Sequence, residues 1–282
     1  MRPLPLPSFT VSDVIDRCEA HASSELIRTK LTVDGPAIVH QEGILADTAI
    51  ALEWWRYGRS THIGALSNAE MKMLYTVEMS RKGGAAFRYY SKLKNSAPHD
   101  RCPMCGVGVV ASLDHYLPKS QYSDIAVTPS NLIPACNDCN TFKHVRFPRR
   151  FEDQLIHPYY DNFTTYRWLR GSVNETSPPT VRFYVDSEEK YEVEDEQRLR
   201  NHFDVLRLAR RFGSYAGEQL TVEKANLTRV SNAAGVFGMT GYLTEQIQKY
   251  APTGQNSWQT AFFHALHDSA WFVTEGFMEI PD

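Results

Sequence analysis

Two cysteine pairs stand out in this 282-residue chain as residues that could do chemistry. They read Cys102-Pro-Met-Cys105 and Cys136-Asn-Asp-Cys139. A CxxC turn points two thiolates at one centre, and two such turns supply the four soft ligands of a tetrahedral zinc site. The sequence therefore predicts a structural zinc ion held by Cys102, Cys105, Cys136 and Cys139.

Other uses of these cysteines have to be weighed. Cys18 stands alone, and the chain begins without the apolar segment of an export signal, which disfavours disulfides. One CxxC pair could be a redox dithiol, but two pairs without a preceding strand–helix pattern favour zinc. The 30 residues between the pairs are more than a zinc ribbon needs, which indicates that another element is built into the loop.

The loop contains LDHYLPKS, in which Asp114 and His115 are adjacent, and NLIPACNDCN follows it. The order of CxxC, Asp114-His115 with Pro118-Lys119, Asn131-Leu132 and CNDCN with Lys143 resembles the HNH endonucleases with a ββα-metal core. The resemblance covers about fifty of the 282 residues. An Asp-His dipeptide alone would be a surface feature in many proteins, and its setting between two CxxC pairs is what favours an active site.

Each role can also be argued from chemistry. An imidazole is the general base suited to neutral pH, so we expect His115 to activate the water that attacks a phosphodiester. In a strand the side chain of Asp114 points the other way, where its oxygen could bind a divalent cation. Asn140 directly follows a zinc cysteine and would add an amide oxygen as the second ligand of that cation.

The resemblance implies a DH…N…N variant of the family, with asparagine at the third position where histidine is frequent. Oxygen ligands favour Mg²⁺ or Mn²⁺ over Zn²⁺ or Ni²⁺ as the catalytic ion. The resemblance gives Asn131, the middle letter, the role of bonding backbone across the loop and orienting the base. An ordinary Asx-turn before a strand is nearly the same physical claim.

The remaining polar residues of the segment have weaker assignments. His144 is four residues after Asn140 and is a further candidate for the metal or a phosphate, although a solvated histidine fits equally well. The predicted phosphate contacts are Lys119, Lys143, Arg146, Arg149 and Arg150. His264 and His267, one turn apart near the C-terminus, are better explained by packing or surface exposure than by a metal site.

The net charge of −3 hides a basic centre. Residues 81–150 hold eleven Lys and Arg against four Asp and Glu, which gives +7, and the rest of the chain carries −10. A basic centre in an acidic chain favours a polyanion as its partner, although chance clustering on a solvated face is the alternative. No apolar run approaches the ~20 residues of a membrane span. We therefore expect a cytoplasmic protein with no membrane partner.

The pattern of apolar residues predicts a mainly α-helical chain, and the resemblance implies a central ββα-metal module stapled by a zinc site of four cysteines, which together make an α+β fold. Helical spacing predicts helices within residues 11–31, 47–58, 66–82, 201–220 and 257–273, and the alternation in TVRFYVDS predicts a strand. The expected regions are a helical N-terminal region, 1–97, a nuclease module, 98–150, and a mainly helical C-terminal region, 151–282, with a short strand near 180–187.

The function that these features favour is metal-dependent hydrolysis of nucleic acid, most often double-stranded DNA in the family resembled. The alternative is a non-catalytic zinc module that binds nucleic acid or protein. The surrounding segments LDHYLPKS, HPYYD and RLARRFGSYA also resemble HNH subunits of bacterial anti-phage systems such as the Septu type, which work beside an ATPase subunit. A nuclease that acts alone is the competing interpretation, and the sequence defines neither the cut pattern nor the trigger.

Overall fold

The computed structural model describes residues 2–60 and 62–281 in two compact units, Met1–Asn162 and Phe163–Asp282. The three residues Met1, Thr61 and Asp282 lie outside the described part, although the predicted regions include them. The described chain is mainly helical and carries two separate two-stranded sheets, so the α+β class is confirmed. The regions 1–97, 98–150 and 151–282 stay a prediction.

The first unit begins with two helices, α1 (Val11–His21) and α2 (Glu25–Ile50). The region predicted within 11–31 is helical but interrupted, whereas the helix predicted within 47–58 is wrong beyond Ile50. A break at residues 22–24 separates the helices, because Ser24 caps α2 through the N–H of Ile27 at 3.4 Å. Helix α2 then continues to Ile50 through Pro36, so most of the second predicted helix is a turn and a short 3₁₀ segment.

Helix α3 (Asn68–Met73) continues into a π-helical turn, Leu74–Met79. Ser67 and Glu70 form the capping box that starts α3, with the Ser67 N–H donating to Glu70 Oε2 at 2.9 Å. Helix α4 (Phe87–Lys94) follows the glycine pair at 83–84. Apolar side chains of α1 to α4 form one core cluster with Leu113, Ala126, Val127 and Leu132 of the cysteine-bounded segment.

That segment folds as two strands and a helix. Strand β1 (Ser112–His115) pairs antiparallel with β2 (Leu132–Ala135), and His115 lies opposite Leu132. Helix α5 (Asn137–Lys143) follows directly after β2. The ββα arrangement that the sequence predicts is therefore present, with the long loop 116–131 between its strands.

The second unit contains a β-hairpin and helices. Strands β3 (Leu169–Asn174) and β4 (Thr180–Val185) pair antiparallel, and β4 lies where the sequence alternation predicts a strand. The helices are α6 (Val193–Val205), α7 (Leu208–Tyr250), α8 (Trp258–Asp268) and α9 (Ala270–Thr274). The single helix predicted within 201–220 is interrupted at Arg207, where φ is 52°. Among the described residues, no helix has the combined length and hydrophobicity that crossing a bilayer requires.

Candidate active site and metal centre

The four paired cysteines converge on one point. All four are buried, and their sulfur atoms lie within 4.8 Å of one another. Cys105 Sγ and Cys136 Sγ are 3.8 Å apart. Two sulfurs bound tetrahedrally at about 2.3 Å from one ion are separated by about 3.8 Å, so the cluster has the dimensions of a zinc site.

Backbone hydrogen bonds orient these sulfur atoms. The N–H of Gly106 donates to Cys102 O at 2.8 Å, and the N–H of Gly108 donates to Cys105 Sγ at 3.3 Å, which closes the first knuckle. Cys136 is the N-cap of α5, and its sulfur accepts from the N–H of Cys139 at 3.5 Å. N–H donors of this kind stabilise thiolates, the form that binds a metal.

The charge balance of the cluster also fits a cation. Hydrogen bonding with Cys102 lowers the pKa of Cys136 to about 6, whereas hydrogen bonds among the sulfurs raise the pKa values of Cys102 and Cys139. Four thiols this close cannot all ionise without a positive ion between them. The donor set of four sulfurs suits zinc.

His115 is buried at the end of β1, with 7% of its surface exposed. Its Nε2 lies 2.9 Å from the carbonyl oxygen of Ala126. Because a carbonyl only accepts, Nε2 carries the proton and Nδ1 keeps its lone pair. Burial and the nearby Lys119 ammonium lower the pKa of His115 to about 3, so the ring is neutral at pH 7. Its Nδ1 has the form that a general base needs.

Asp114 is buried beside Lys143. The Lys143 Nζ lies 3.1 Å from Asp114 Oδ2 and donates to His115 O at 2.6 Å. Burial raises the pKa of Asp114, and the Lys143 ammonium opposes that shift. The hydrogen bond of that ammonium goes to Asp114 Oδ1 at 3.4 Å, so Oδ2 is ion-paired with Lys143 but accepts no hydrogen bond. A buried carboxylate oxygen in this state is a suitable ligand for a divalent cation.

Asn140 lies on the same side of β1 as Asp114. Its Nδ2 donates to Ser112 Oγ at 3.4 Å, and Ser112 is two residues before Asp114, so both side chains share one face of the strand. Lys143, one turn after Asn140 on α5, contacts Asp114 on that face. The contacts of Asn140 with Ser112 and of Lys143 with Asp114 thus place both α5 side chains on this face of β1.

Asn131 braces the long loop. Its Oδ1 accepts from the N–H of Leu117 at 2.8 Å, and its Nδ2 donates to Leu117 O at 3.0 Å and to Ile125 O at 3.4 Å. These bonds join both ends of the loop next to the turn that presents Ala126 O to His115. Asn131 is fully buried, as this role requires.

The basic residues do not all occupy equivalent places. Arg146, Arg149 and Arg150 are exposed, and Lys119 is half-buried near His115. Lys143 is 1% exposed, so a phosphate could reach it only if its ion pair with Asp114 opened, and its predicted phosphate contact stays a prediction.

His144 does not have the position on α5 that the sequence predicts. The argument that it shares a helix face with Asn140 is wrong, because α5 ends at Lys143 and His144 has a φ of 50°. Its side chain is exposed, and its contact with a metal or a phosphate stays a prediction.

Three features of the site were not predicted from the sequence. They are the carbonyl oxygen of Ala126, the buried ion pair of Lys143 and the ring of Tyr75, which packs edge-on against His115 with centroids 4.3 Å apart. A backbone carbonyl leaves no signal in side-chain types. Tyr75 lies within the helix predicted at residues 66–82, but helical spacing does not tell which side chain the ring meets.

Comparisons with known proteins agree with this geometry. The model of the HNH endonuclease family matches residues 102–146, which include the four cysteines, both strands and α5. Protein ea31 of Escherichia phage lambda is 30% identical to the chain, in an alignment that covers 78% of this chain and 78% of that protein. No solved structure matches the chain significantly.

The cysteine cluster predicts a metal-dependent fold. Cys139→Ser removes one of four ligands, and we expect the purified chain to lose its bound metal and the ordered structure around it, because the binding free energy of such an ion contributes to folding. Metal analysis by mass spectrometry and hydrogen exchange measure both effects. Cys18→Ala, at a buried cysteine outside the cluster, should keep the metal. Equal metal content in the two variants would contradict the four-cysteine site.

The Asp114–Lys143 pair predicts a large stability effect. Lys143→Met leaves a buried carboxylate without its counter-ion, so the free energy of unfolding should fall by about 3–5 kcal/mol. Urea denaturation of the metal-loaded chain measures this, and adding Asp114→Asn should recover part of the loss. Lys82→Met, at an exposed lysine, should change the value by less than about 0.5 kcal/mol. If Lys143→Met and Lys82→Met lowered the free energy of unfolding by similar amounts, the ion-pair argument would be refuted.

Proposed function

We propose that this chain, which belongs to the HNH endonuclease family, hydrolyses phosphodiester bonds of nucleic acid, with His115 as the general base. The observation that carries the proposal is the hydrogen bond from His115 Nε2 to Ala126 O, at 2.9 Å. This bond leaves Nδ1 of the buried imidazole unprotonated, and His115 directly follows Asp114 in the sequence. A module that only binds nucleic acid has no need for a neutral histidine fixed in this tautomer.

In the proposed reaction, His115 Nδ1 takes a proton from water as the water oxygen attacks phosphorus. The bond from phosphorus to the leaving sugar oxygen then breaks, that oxygen takes a proton from solvent water, and His115 returns its proton to solvent. Asp114 and Asn140 would hold the catalytic ion, Mg²⁺ or Mn²⁺, because both offer hard oxygen ligands. When bound, such an ion supplies Lewis-acid stabilisation of the phosphate charge. Asn131 keeps the loop that carries Ala126 in register with the base.

A base whose pKa is about 3 is a weak proton acceptor until substrate arrives. The phosphodiester brings negative charge next to the ring, and negative charge raises the pKa of a neighbouring histidine. We propose that the substrate itself activates His115. The imidazole would therefore be a weak proton acceptor in the empty site, and its pKa would rise when a phosphate is bound.

Zinc is the ion that we propose for the four cysteines, with a structural role. For the substrate we propose DNA, most often double-stranded in this family, held through phosphates by Lys119 and the exposed arginines Arg146, Arg149 and Arg150. These contacts carry no base-specific information, so the ββα core alone would impose little sequence preference.

We further propose a cytoplasmic role in anti-phage defence, beside an ATPase subunit. The support is the resemblance of the segments around the motif to HNH subunits of Septu-type systems. A chain that binds DNA but cuts it only with the ATPase subunit and ATP would support this role. Equal cleavage by the isolated chain would favour a nuclease that acts alone.

The assignment of the base predicts the effect of its removal. His115→Ala should lower cleavage by about 10²–10⁴-fold without loss of the cysteine-bound metal, because it removes only the proton acceptor. The assay uses plasmid, linear duplex and RNA with Mg²⁺, Mn²⁺ or chelator. His115→Gln should repeat the loss with a smaller change of volume.

His21→Ala, at an exposed histidine of α1, is the matched control and should cut like the wild type. A His115→Ala variant that cuts at the wild-type rate would show that another group is the base. A wild-type chain that cuts no substrate with either ion, even with an ATPase partner and ATP, yet binds DNA in a steeply salt-dependent way, would favour the non-catalytic module.

The depressed pKa of His115 predicts the pH dependence. The folded-state pKa is lowered from 6.5 to about 3, so the neutral base is present well below pH 6.5 and is lost only as pH falls toward 3. The acidic limb of kcat/KM, which reports the free enzyme, should therefore lie well below pH 6.5. The acidic limb of kcat, which reports the substrate complex, should lie at higher pH. A kcat/KM limb at pH 6.5 would indicate a solvated histidine.

A further inference from the structure

We propose that Tyr75, which lies outside the matched segment 102–146, is a positioning residue that holds the Lys119 ammonium beside His115. This inference rests on the function proposed above and adds to its site a side chain from the N-terminal helices. Three contacts of the tyrosine carry it: those with the His115 ring, the Lys119 ammonium and the Leu113 carbonyl.

Both groups that matter for the reaction meet the same ring. The His115 imidazole packs edge-on against Tyr75 at 4.3 Å between centroids and 69° between planes. The Lys119 Nζ lies 4.3 Å from the centroid of the same ring. The Tyr75 hydroxyl donates to the carbonyl of Leu113 at 3.3 Å, two residues before His115 on β1. The ring is thereby tied to the strand that carries the base.

The ring has little freedom to move. It is 6% exposed, and its neighbours Leu74 and Met79 on the π-helical turn are fully buried in the core. The Tyr90 ring packs against it in an edge-on arrangement with centroids 6.5 Å apart. A π-helical turn inside a helix is frequently found at functional sites, because the extra residue changes the direction in which side chains point.

A lysine side chain gains most from such a support. A free lysine samples many rotamers, and holding its ammonium over an aromatic face removes that freedom before substrate binds. The ammonium and the imidazole then both contact this one ring, each at 4.3 Å from its centroid. When a water activated by His115 attacks the phosphorus of a phosphodiester, a non-bridging oxygen of that phosphate would lie within reach of this ammonium.

Tyr75 could instead be only a core residue, and a double-mutant cycle separates the two roles. The variants are Tyr75→Leu, Tyr75→Phe, Lys119→Met and Tyr75→Leu with Lys119→Met, in the full chain with its metals. We expect Tyr75→Leu and Lys119→Met each to lower kcat about tenfold, and the double variant to be no worse than Lys119→Met. Tyr75→Phe keeps the ring and should stay within about threefold of the wild type.

Tyr89→Leu is the matched control, since Tyr89 is a buried tyrosine of α4 that packs on Phe9. Its effect should multiply with that of Lys119→Met, as expected for independent sites. Multiplying losses for Tyr75→Leu and Lys119→Met would overturn the inference. So would a Tyr75→Leu variant that cuts like the wild type, and in both cases the proposed function would stand.

A second measurement does not depend on cleavage. The lysines can be labelled by reductive methylation and observed by carbon-13 NMR. The ring current of Tyr75 should displace the chemical shift of the Lys119 methyl signal in the wild type and in Tyr75→Phe, and not in Tyr75→Leu. Identical Lys119 signals in all three would overturn the contact itself. A wild-type chain with the displaced signal that cuts no substrate, either alone or with an ATPase partner and ATP, would overturn the proposed function, and the positioning role with it.

Discussion

Four sulfur atoms within 4.8 Å of one another impose the constraint on which the nuclease module depends. Strands β1 and β2 have four residues each and α5 has seven, and elements this short are not stable alone. The cysteine cluster joins the knuckle before β1 to the N-terminus of α5. Once these ends are fixed, β2 must run back along β1, and α5 must lie across the face that carries Ser112 and Asp114.

The site that results is unusually dry for a group of charged residues. Asp114, His115 and Lys143 are all less than 9% exposed. Burial costs free energy for each ion, and the ion pair offsets part of that cost without making it favourable. The advantage of burying these groups is functional. In a low-dielectric setting a phosphate and a cation interact more strongly with fixed groups, and the base stays neutral without competition from solvent protons.

The sequence was informative where chemistry requires particular residue types. Four cysteines at CxxC spacing must converge to bind a metal, so their cluster was predictable, and the ββα order followed from the family motif. The limits of the helices were less predictable. Helix α2 tolerates Pro36 because its neighbours bury Leu31 and Ile38, and no local propensity contains that information. The same holds for Lys143, whose position in the motif suggested a phosphate contact, whereas packing of α5 on β1 directs its ammonium at Asp114.

The geometry of the proposed site also depends on residues far from the motif in sequence. The turn that presents Ala126 O to His115 contains Asp124, which accepts a hydrogen bond from the Tyr57 hydroxyl at 2.9 Å. Tyr75 contacts the imidazole directly, and Leu113 and Leu132 belong to the same core as α1 to α4. The motif thus contains the groups that we propose to react, while residues of the N-terminal helical region contact them and the turn beside them. A family whose members share the motif can therefore differ in rate and regulation through helices that the motif does not include, because those helices form the walls of the site.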